Sequence, residues 1–216
     1  GEKRESSMTE GFARDQTGFT KKQMTELVGE KVVLFPLREE DAPLIIRWRN
    51  TKRVRDHFIY RKPFTLQSQE AWFKDEIGSG RVLQFLMVEK ASKKPIGSVY
   101  FRDIDPENRT AEYGIFIGEE EALGKGYGSE TADLALRFAF EQKKLRRVFL
   151  RVYCDNAAAI GSYLHAGFAV CGTNRQVQST DGTCADMYLM ELTADRYFGL
   201  HPFTDREILQ DEKHDS

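Results

Sequence analysis

Short apolar runs with strand-like alternation dominate the first half of the chain. VVLFPL (32–37) is apolar and β-branched, and Pro36 confines this predicted strand to an edge or a strand end. VLQFLMVEK (82–90), KPIGSVYFRDI (94–104) and TAEYGIFIG (110–118) follow at strand period, with turn-like residues between them. We predict that these last three runs form an antiparallel meander.

Helical spacing of apolar residues alternates with these runs. It predicts helices over residues 38–50, from Thr65 to Gly78, from Gly126 onward and from Asn156 to Gly167. RRVFLRVY (146–153) predicts a strand between the last two helices.

The C-terminal part of the chain predicts a hairpin. FAVCGTNRQVQ (168–178) and TCADMYLMEL (183–192) flank an Asp181-Gly182 turn. Together the elements predict a single α+β domain over residues 28–200, with a mixed, mostly antiparallel central sheet of about six to seven strands flanked by about four helices. We expect a flexible extension over residues 1–27 and a polar tail over 201–216, since neither has a sustained apolar face.

Composition then excludes several classes of protein. The 216 residues carry 32 Lys and Arg against 34 Asp and Glu, so no overall positive field attracts nucleic acid or an anionic membrane. The sequence shows neither a membrane-spanning apolar run nor a signal segment, and we expect a soluble, cytoplasmic protein. The 3 cysteines and 4 histidines lack the spacing of a zinc site, so we expect no metal.

A glycine-rich turn precedes the helix that starts at Gly126. Its residues are Gly124, Lys125, Gly126, Tyr127 and Gly128. Such a turn exposes backbone N–H groups at the positive end of a helix dipole, which suits a phosphate or pyrophosphate. The pattern is neither GxxxxGK[ST] nor a complete GxGxxG with its acidic residue, and alone it fits a structural helix start equally well.

Asn156 and Tyr163 belong to the helix that follows the strand 146–153. Their separation corresponds to two helical turns, so both side chains can face one cleft. Taken alone, Asn156 is more simply explained as an N-cap and Tyr163 as a core aromatic.

Together these segments resemble the GNAT superfamily of N-acetyltransferases over about residues 31–192. The resemblance rests on the glycine-rich turn followed, at the family's order and spacing, by Asn156, Tyr163 and Gly167-Phe168. It implies an enzyme that uses acetyl-CoA as co-substrate and transfers the acetyl group to a primary amine by direct attack in a ternary complex.

The resemblance also implies which residues contact the coenzyme. In the family the turn holds the pyrophosphate and the main chain of the preceding strand pairs with the pantetheine arm. The implied residues here are Ile115, Phe116, Ile117, Gly124, Lys125, Gly126, Tyr127, Gly128, Ser129 and Asn156. Leu123 stands where the family usually has Arg or Gln, and we expect binding to survive because the phosphate contacts come chiefly from backbone amides.

Two residues are candidates for proton transfer. Tyr163 stands at the family's general-acid tyrosine, and a phenol with a pKa of about 10 is a suitable donor to the departing thiolate. Glu112 is our candidate general base, because strand alternation puts it on the same face as Gly114 and Phe116, near the expected thioester. A structural or substrate-orienting carboxylate is an equal alternative for Glu112.

The sequence indicates the acceptor amine less clearly than it indicates the coenzyme. Residues 45–65 hold 7 basic side chains opposed by Asp56 alone, which favours an anionic acceptor or else a solvated basic face. WRN, VRDHF and EAWF are similar to acetyltransferases that act on nucleotide-linked amino sugars. The chain is also similar to ribosomal-protein N-terminal and spermidine acetyltransferases, and a polyamine would need an acidic pocket. Candidates for that pocket are Glu119, Glu120, Glu121, Asp103, Asp105 and Glu107.

A coenzyme-A-binding regulatory module without catalysis is the alternative of another class. The joint presence of Asn156 and Tyr163 argues against it. We expect a small-molecule or peptide amine as partner, and edge-strand pairing could form a homodimer.

Overall fold

One mixed sheet organises the domain. The computed structural model describes residues 25–202, so the predictions for residues 1–24 and 203–216 lie outside it. In this part of the chain eight strands follow the order β1-β2-β3-β4-β5-β6-β8-β7. They are β1 (Leu27–Val28), β2 (Val32–Pro36), β3 (Leu83–Glu89), β4 (Pro95–Asp105), β5 (Thr110–Ile117), β6 (Arg147–Tyr153), β7 (Ala169–Gln178) and β8 (Cys184–Thr193).

Six α-helices pack on the sheet within the same range. They are α1 (Ala42–Arg49), α2 (Lys52–Arg55), α3 (Leu66–Trp72), α4 (Tyr127–Arg137), α5 (Ala157–Ala166) and α6 (Ala194–Leu200). Single π-helical turns, Phe73–Ile77 and Phe138–Gln142, extend α3 and α4. No helix of the described residues is long and apolar enough to cross a membrane.

Local capping chemistry explains where several helices begin. The Thr65 hydroxyl accepts a hydrogen bond from the Ser68 N–H at the start of α3, and Thr193 does the same for Arg196 at the start of α6. Pro43 occupies the first turn of α1, where its missing N–H costs nothing.

The α+β class and the mostly antiparallel sheet are confirmed, while three short elements were not predicted. These are the two-residue β1, the four-residue α2 and the helix α6. Leu27, expected in the extension, pairs with Leu34. Elements this short carry too few periodic positions for a pattern, and tertiary contacts stabilise them instead. The proposed domain bounds of 28–200 stay a prediction.

The parallel pairing of β5 with β6 is confined to one end of the two strands. It runs from Thr110 opposite Arg147 to Glu112 opposite Phe149. Beyond that point β5 continues to Ile117, and β6 continues beside β8, without further pairing to each other. The sheet therefore opens between its two central strands.

Each face of the sheet has its own apolar core. One face packs against α4, α5 and α6 around Phe85, Phe101 and Leu150. The other packs against α1, α2 and α3 around Trp48 and Phe116. The gap between β5 and β6 connects these two faces.

The start of α4 is tied to the turn between β1 and β2. The carboxylate of Glu130 accepts hydrogen bonds from the backbone N–H groups of Glu30, Lys31 and Val32. Since a carboxylate satisfies several donors at once, this contact fixes the position of the glycine-rich turn relative to the sheet.

We expect Glu130→Ala to lower the free energy of unfolding by about 1–3 kcal/mol, because it leaves backbone donors without an acceptor. Urea denaturation followed by circular dichroism measures the change. Glu120→Ala removes an exposed glutamate from the preceding turn and is the control. Equal stability of the two variants would show that the Glu130 contact does not anchor α4.

Candidate active site

The gap between β5 and β6 is the candidate active site. One edge of β5 pairs with β4 along the strand, whereas beyond Glu112 its other edge has no strand partner in the described residues. The glycine-rich turn follows β5 at the open end of the gap, and α5 follows β6 there. Polypeptide from both sides of the gap thus lines a groove between two strands.

Every second residue of β5 directs its backbone N–H and C=O groups into the gap. An added Cβ on Gly97 would lie 2.3 Å from the Phe116 carbonyl oxygen, so Phe116 faces β4. Because strand neighbours point to opposite edges, Ile115 and Ile117 face the gap. Arg53 already donates to the Ile117 carbonyl at 3.0 Å. The main chain of Phe116 therefore faces β4, and its role in pairing with pantetheine stays a prediction.

The glycine-rich turn presents backbone donors that no acceptor within residues 25–202 uses. Gly124 and Gly126 have φ of +73° and +82°, a left-handed conformation that glycine adopts without strain. The first hydrogen bond inside α4 runs from the Glu130 N–H to the Gly126 carbonyl at 3.2 Å. The N–H groups without an acceptor in their own helix belong to Tyr127, Gly128 and Ser129. This arrangement fits a pyrophosphate, as the sequence predicts.

Lys31 adds a positive charge to this turn that the sequence does not reveal. Its Nζ lies 3.5 Å from the Lys125 carbonyl oxygen and 3.6 Å from the position of a Cβ on Gly126. Leu123, where the family usually has a polar side chain, is 45% exposed and supplies no polar contact. Lys31 is 94 positions from Lys125, so only the fold brings the cation to the turn.

Asn156 joins the start of α5 to the loop after α2. Its Oδ1 accepts from the Ala159 N–H at 3.3 Å, so it is an N-cap. The other end of the amide, Nδ2, lies 3.2 Å from Nδ1 of His57. Because Nδ2 can only donate, this contact requires an unprotonated Nδ1 on His57. The sequence did not single out His57.

Tyr163 is a core aromatic whose hydroxyl remains available. Its ring packs against Tyr113 and Phe168 at centroid distances of 6.3 and 5.9 Å. No hydrogen bond to the hydroxyl occurs in the described part of the chain. Burial, and then the nearby Tyr100, raise the pKa of Tyr163 well above its ordinary value. The phenol therefore stays protonated at neutral pH, as a proton donor must.

Tyr100 crosses the gap region from the opposite face. An added Cβ on Gly114 would lie 2.2 Å from the Tyr100 hydroxyl oxygen, so this close approach requires glycine. Tyr163 packs against Tyr113 on one face of the sheet, and Tyr100 approaches the neighbouring Gly114 on the other face. Chemistry-bearing groups from both faces of the sheet thus meet where β5 and β6 separate.

Glu112 lies at the base of the gap in an ion-paired cluster. It accepts hydrogen bonds from Arg102 at 2.8 Å and Arg151 at 3.0 Å. Burial alone would raise the pKa of Glu112, but the hydrogen bonds and charges of Arg102 and Arg151 outweigh it and hold that pKa below its ordinary value. An ionised carboxylate with two guanidinium partners is a weak proton acceptor, so the geometry favours a positioning role. The general-base role stays a prediction.

Most of the basic segment is bound within the domain. Arg47 and Lys52 form ion pairs with Glu119 and Asp56. Arg53 donates to carbonyls at the end of β5. The segment as a whole is therefore not a free basic lining, and its charges hold α1 and α2 in place.

Arg61 fixes the β7–β8 hairpin over the loop after α2. Its guanidinium contacts Asp181 and the Tyr153 hydroxyl, each at 3.1 Å. The Thr180 N–H also donates to the Ile59 carbonyl at 3.0 Å. The hairpin and the loop together bound the side of the gap that α1 and α2 cover.

The acidic candidates for a polyamine pocket do not come together. Asp103, Asp105 and Glu107 lie at the β4–β5 turn, whereas Glu119, Glu120 and Glu121 follow the other end of β5. The 8 residues of β5 separate these groups by about 25 Å. Among residues 25–202 no group of three or more His, Cys, Asp or Glu is arranged to hold a metal ion.

Comparison with known proteins gives the family. A model of the family described as "Acetyltransferase (GNAT) domain" matches residues 31–169, well over half of the chain. This protein belongs to the GNAT acetyltransferase family. The GNAT domain accounts for the sheet and for the glycine-rich turn at the start of α4, and acetyltransferases of this family use acetyl-CoA.

Proteins similar to this GNAT protein do not share one named acceptor. It is 27% identical over 180 residues to the uncharacterized N-acetyltransferase p20 of Bacillus licheniformis, covering 82% of this chain and 100% of the relative. It is 26% identical over 164 residues to alpha/beta-tubulin-N-acetyltransferase 9 of Drosophila melanogaster, covering 70% and 80%. The solved spermidine N-acetyltransferase of Vibrio cholerae in complex with CoA and spermine has a TM-score of 0.72 and 23% identity, covering 79% of this chain and 99% of that one. The GNAT fold is shared, and the acceptor has to be argued from this chain.

We expect Lys31→Ala to weaken acetyl-CoA binding about three- to tenfold, because it removes a charge-assisted contact at the turn. Isothermal titration calorimetry measures the dissociation constant, and the effect shrinks as salt is raised. Lys74→Ala, on the opposite side of the domain, is the control. Unchanged affinity in Lys31→Ala would remove Lys31 from the coenzyme site.

Proposed function

We propose that this protein acetylates a primary amine by direct attack on acetyl-CoA held in the gap between β5 and β6. The observation that carries the proposal is the opening of the sheet beside the first N–H groups of α4, which have no acceptor in their own helix, with the Tyr163 ring packed against Tyr113 of β5. The donor and acceptor would occupy the gap together, so that proximity and orientation supply much of the rate.

The residues that line the gap fit the donor's chemical parts. The N–H groups of Tyr127, Gly128 and Ser129, with Lys31, would hold the pyrophosphate. The main chain of Ile115 would pair with the pantetheine arm. Bound acetyl-CoA supplies an activated acetyl group on sulfur.

The proposed step needs one proton donor and one proton acceptor. The neutral amine nitrogen bonds to the carbonyl carbon, the carbon–sulfur bond breaks, and Tyr163 gives its proton to the departing sulfur. The amine loses its proton to solvent or to a nearby base. Deprotonating an alkyl amine at pH 7 costs about 4–5 kcal/mol, and an α-amino group about 1–1.5 kcal/mol.

Glu112 takes part in this proposal as a positioning carboxylate. It holds Arg102 and Arg151 at the base of the gap and is ionised at neutral pH. Water is then the first proton acceptor to consider. The expected homodimer also stays a prediction, with β1 and β7 as the edge strands of the described sheet.

Thiol release from acetyl-CoA tests the function. We expect saturable turnover with one class among amino sugars linked to nucleotides, polyamines, peptide N-termini and small amino acids. In Tyr163→Phe we expect kcat to fall about ten- to a hundredfold with acetyl-CoA affinity nearly unchanged, because only the proton donor is lost.

Tyr197→Phe is the matched control, since it removes a phenol that donates to Glu141 away from the gap. Full activity of Tyr163→Phe would remove Tyr163 as general acid. Binding of acetyl-CoA without turnover on any amine would contradict the proposed function.

We expect Glu112→Gln to lower kcat/KM without moving the pH–rate profile between about pH 6 and 9. Arg102 and Arg151 hold the pKa of Glu112 below its ordinary value, so Glu112 is already ionised throughout that range and its protonation cannot shape the profile. Initial rates at constant ionic strength measure the profile. Glu191→Gln, which removes a glutamate paired with Arg147, is the control. A profile that loses its acid limb in Glu112→Gln alone would make Glu112 the base.

A further inference from the structure

We propose that the acceptor amine carries a carboxylate or phosphate group, and that Arg49, Arg102 and Arg151 bind this anion. The inference rests on the proposed acetyl transfer, because it names the class of acceptor for the same gap.

Arg102 and Arg151 approach one carboxylate from two sides. They come from β4 and β6, which flank β5, and both contact the same Oε1 of Glu112. Their side chains are 37% and 32% exposed, while that of Glu112 is 6% exposed. The guanidinium groups therefore reach outward from a buried carboxylate, with donors left for a further acceptor.

Arg49 brings a third cation from α1 without a carboxylate of its own. Its guanidinium lies 3.5 Å from the ring centre of Phe58, and its nearest carbonyl contact is Tyr60 at 3.4 Å. No ion pair of Arg49 occurs among residues 25–202. Burial lowers the pKa of Arg49 to about 10, and the positive charge of Arg102 acts in the same direction. A negative charge at this position would relieve both effects.

Two buried donors of the cluster have no acceptor. The Nε atoms of Arg49 and Arg102 are enclosed and make no hydrogen bond in the described structure. Buried guanidinium donors are rarely left without a partner, since the loss of hydration is costly. An oxygen-rich ligand group between these arginines would satisfy them.

The cluster adjoins the region where the acetyl group would react. Arg49 stacks on Phe58, whose ring packs against Phe116 of β5, the strand that carries Glu112. Tyr100 approaches Gly114 of the same strand, and Tyr163 packs against its Tyr113. Among residues 25–202 the ion pairs of Arg102 and Arg151 both go to Glu112 and Arg49 has none, so three guanidinium groups share one carboxylate. A polyamine would be repelled by these arginines. A carboxylate or phosphate would bind, because its oxygens match the paired N–H donors of a guanidinium group.

Matched amines test the charge preference in the thiol-release assay. δ-Aminovalerate, its neutral amide and cadaverine all present a similar reactive amine. At the far end of the molecule, δ-aminovalerate carries a negative charge, its amide carries no charge and cadaverine carries a positive charge. We expect kcat/KM to be at least about tenfold higher for the anion than for the amide, and lowest for the cation. Phosphoethanolamine against ethanolamine distinguishes a phosphate from a carboxylate.

Variants assign the preference to the cluster. Arg151→Gln and Arg49→Met are each expected to reduce the anion-to-amide ratio about tenfold. Arg147→Gln is the control, because Arg147 lies on β6 on the same face and is paired with Glu191. Arg49→Met keeps an apolar side chain on Phe58 and leaves no carboxylate without its partner, so we expect this variant to fold. Circular dichroism checks the folding of each variant.

A second measurement separates this inference from the proposed function. Inorganic phosphate is titrated into the protein saturated with coenzyme A, which occupies the pyrophosphate site, and heat of binding is recorded. Binding that Arg151→Gln and Arg49→Met weaken and Arg147→Gln retains supports the arginine site even if no amine is acetylated. Equal phosphate affinity in all four proteins, or a preference for the cationic amine, would overturn the inference while leaving acetyl transfer intact.

Discussion

The separation of β5 from β6 is the constraint on which the rest of the site depends. Two parallel strands pair at one end only, and the connection between them carries the glycine-rich turn and α4. Each strand has its outer neighbour, β4 or β8, to complete its other edge. The cost of leaving the inner edges unpaired is confined to a groove where a ligand main chain or pantetheine amides can satisfy them.

Charged groups stabilise this opening from both sides. Glu112 links β4, β5 and β6 through Arg102 and Arg151 at the base of the gap. Glu130 fixes the start of α4 to the β1–β2 turn at its mouth. The Glu112 carboxylate thus lies at the closed end of the gap and the Glu130 carboxylate at its open end. Each accepts several hydrogen bonds, which offset the cost of removing a carboxylate from water.

Most charges of the basic segment 45–65 are also used within the domain. Arg47, Lys52 and Arg53 are occupied in holding α1 and α2, so the basic character of residues 45–65 is mainly structural. The arginines that remain for a ligand come from three different elements. The net charge of a sequence segment is therefore a poor guide to the charge of the acceptor. The balance of guanidinium and carboxylate groups around the gap is a better guide.

The sequence by itself determined the α+β class, the meander, most helix and strand positions and the glycine-rich turn, because period, capping and turn chemistry act over a few neighbouring residues. It also placed Asn156 and Tyr163 on one helix. Only the tertiary structure decided that Lys31 lies at the turn, that His57 meets Asn156 and that the main chain of Phe116 faces β4. It likewise decided that Glu112 is ion-paired and that the acidic candidates lie apart. These are contacts between residues distant in sequence, and no local pattern encodes which of them the folded sheet brings together.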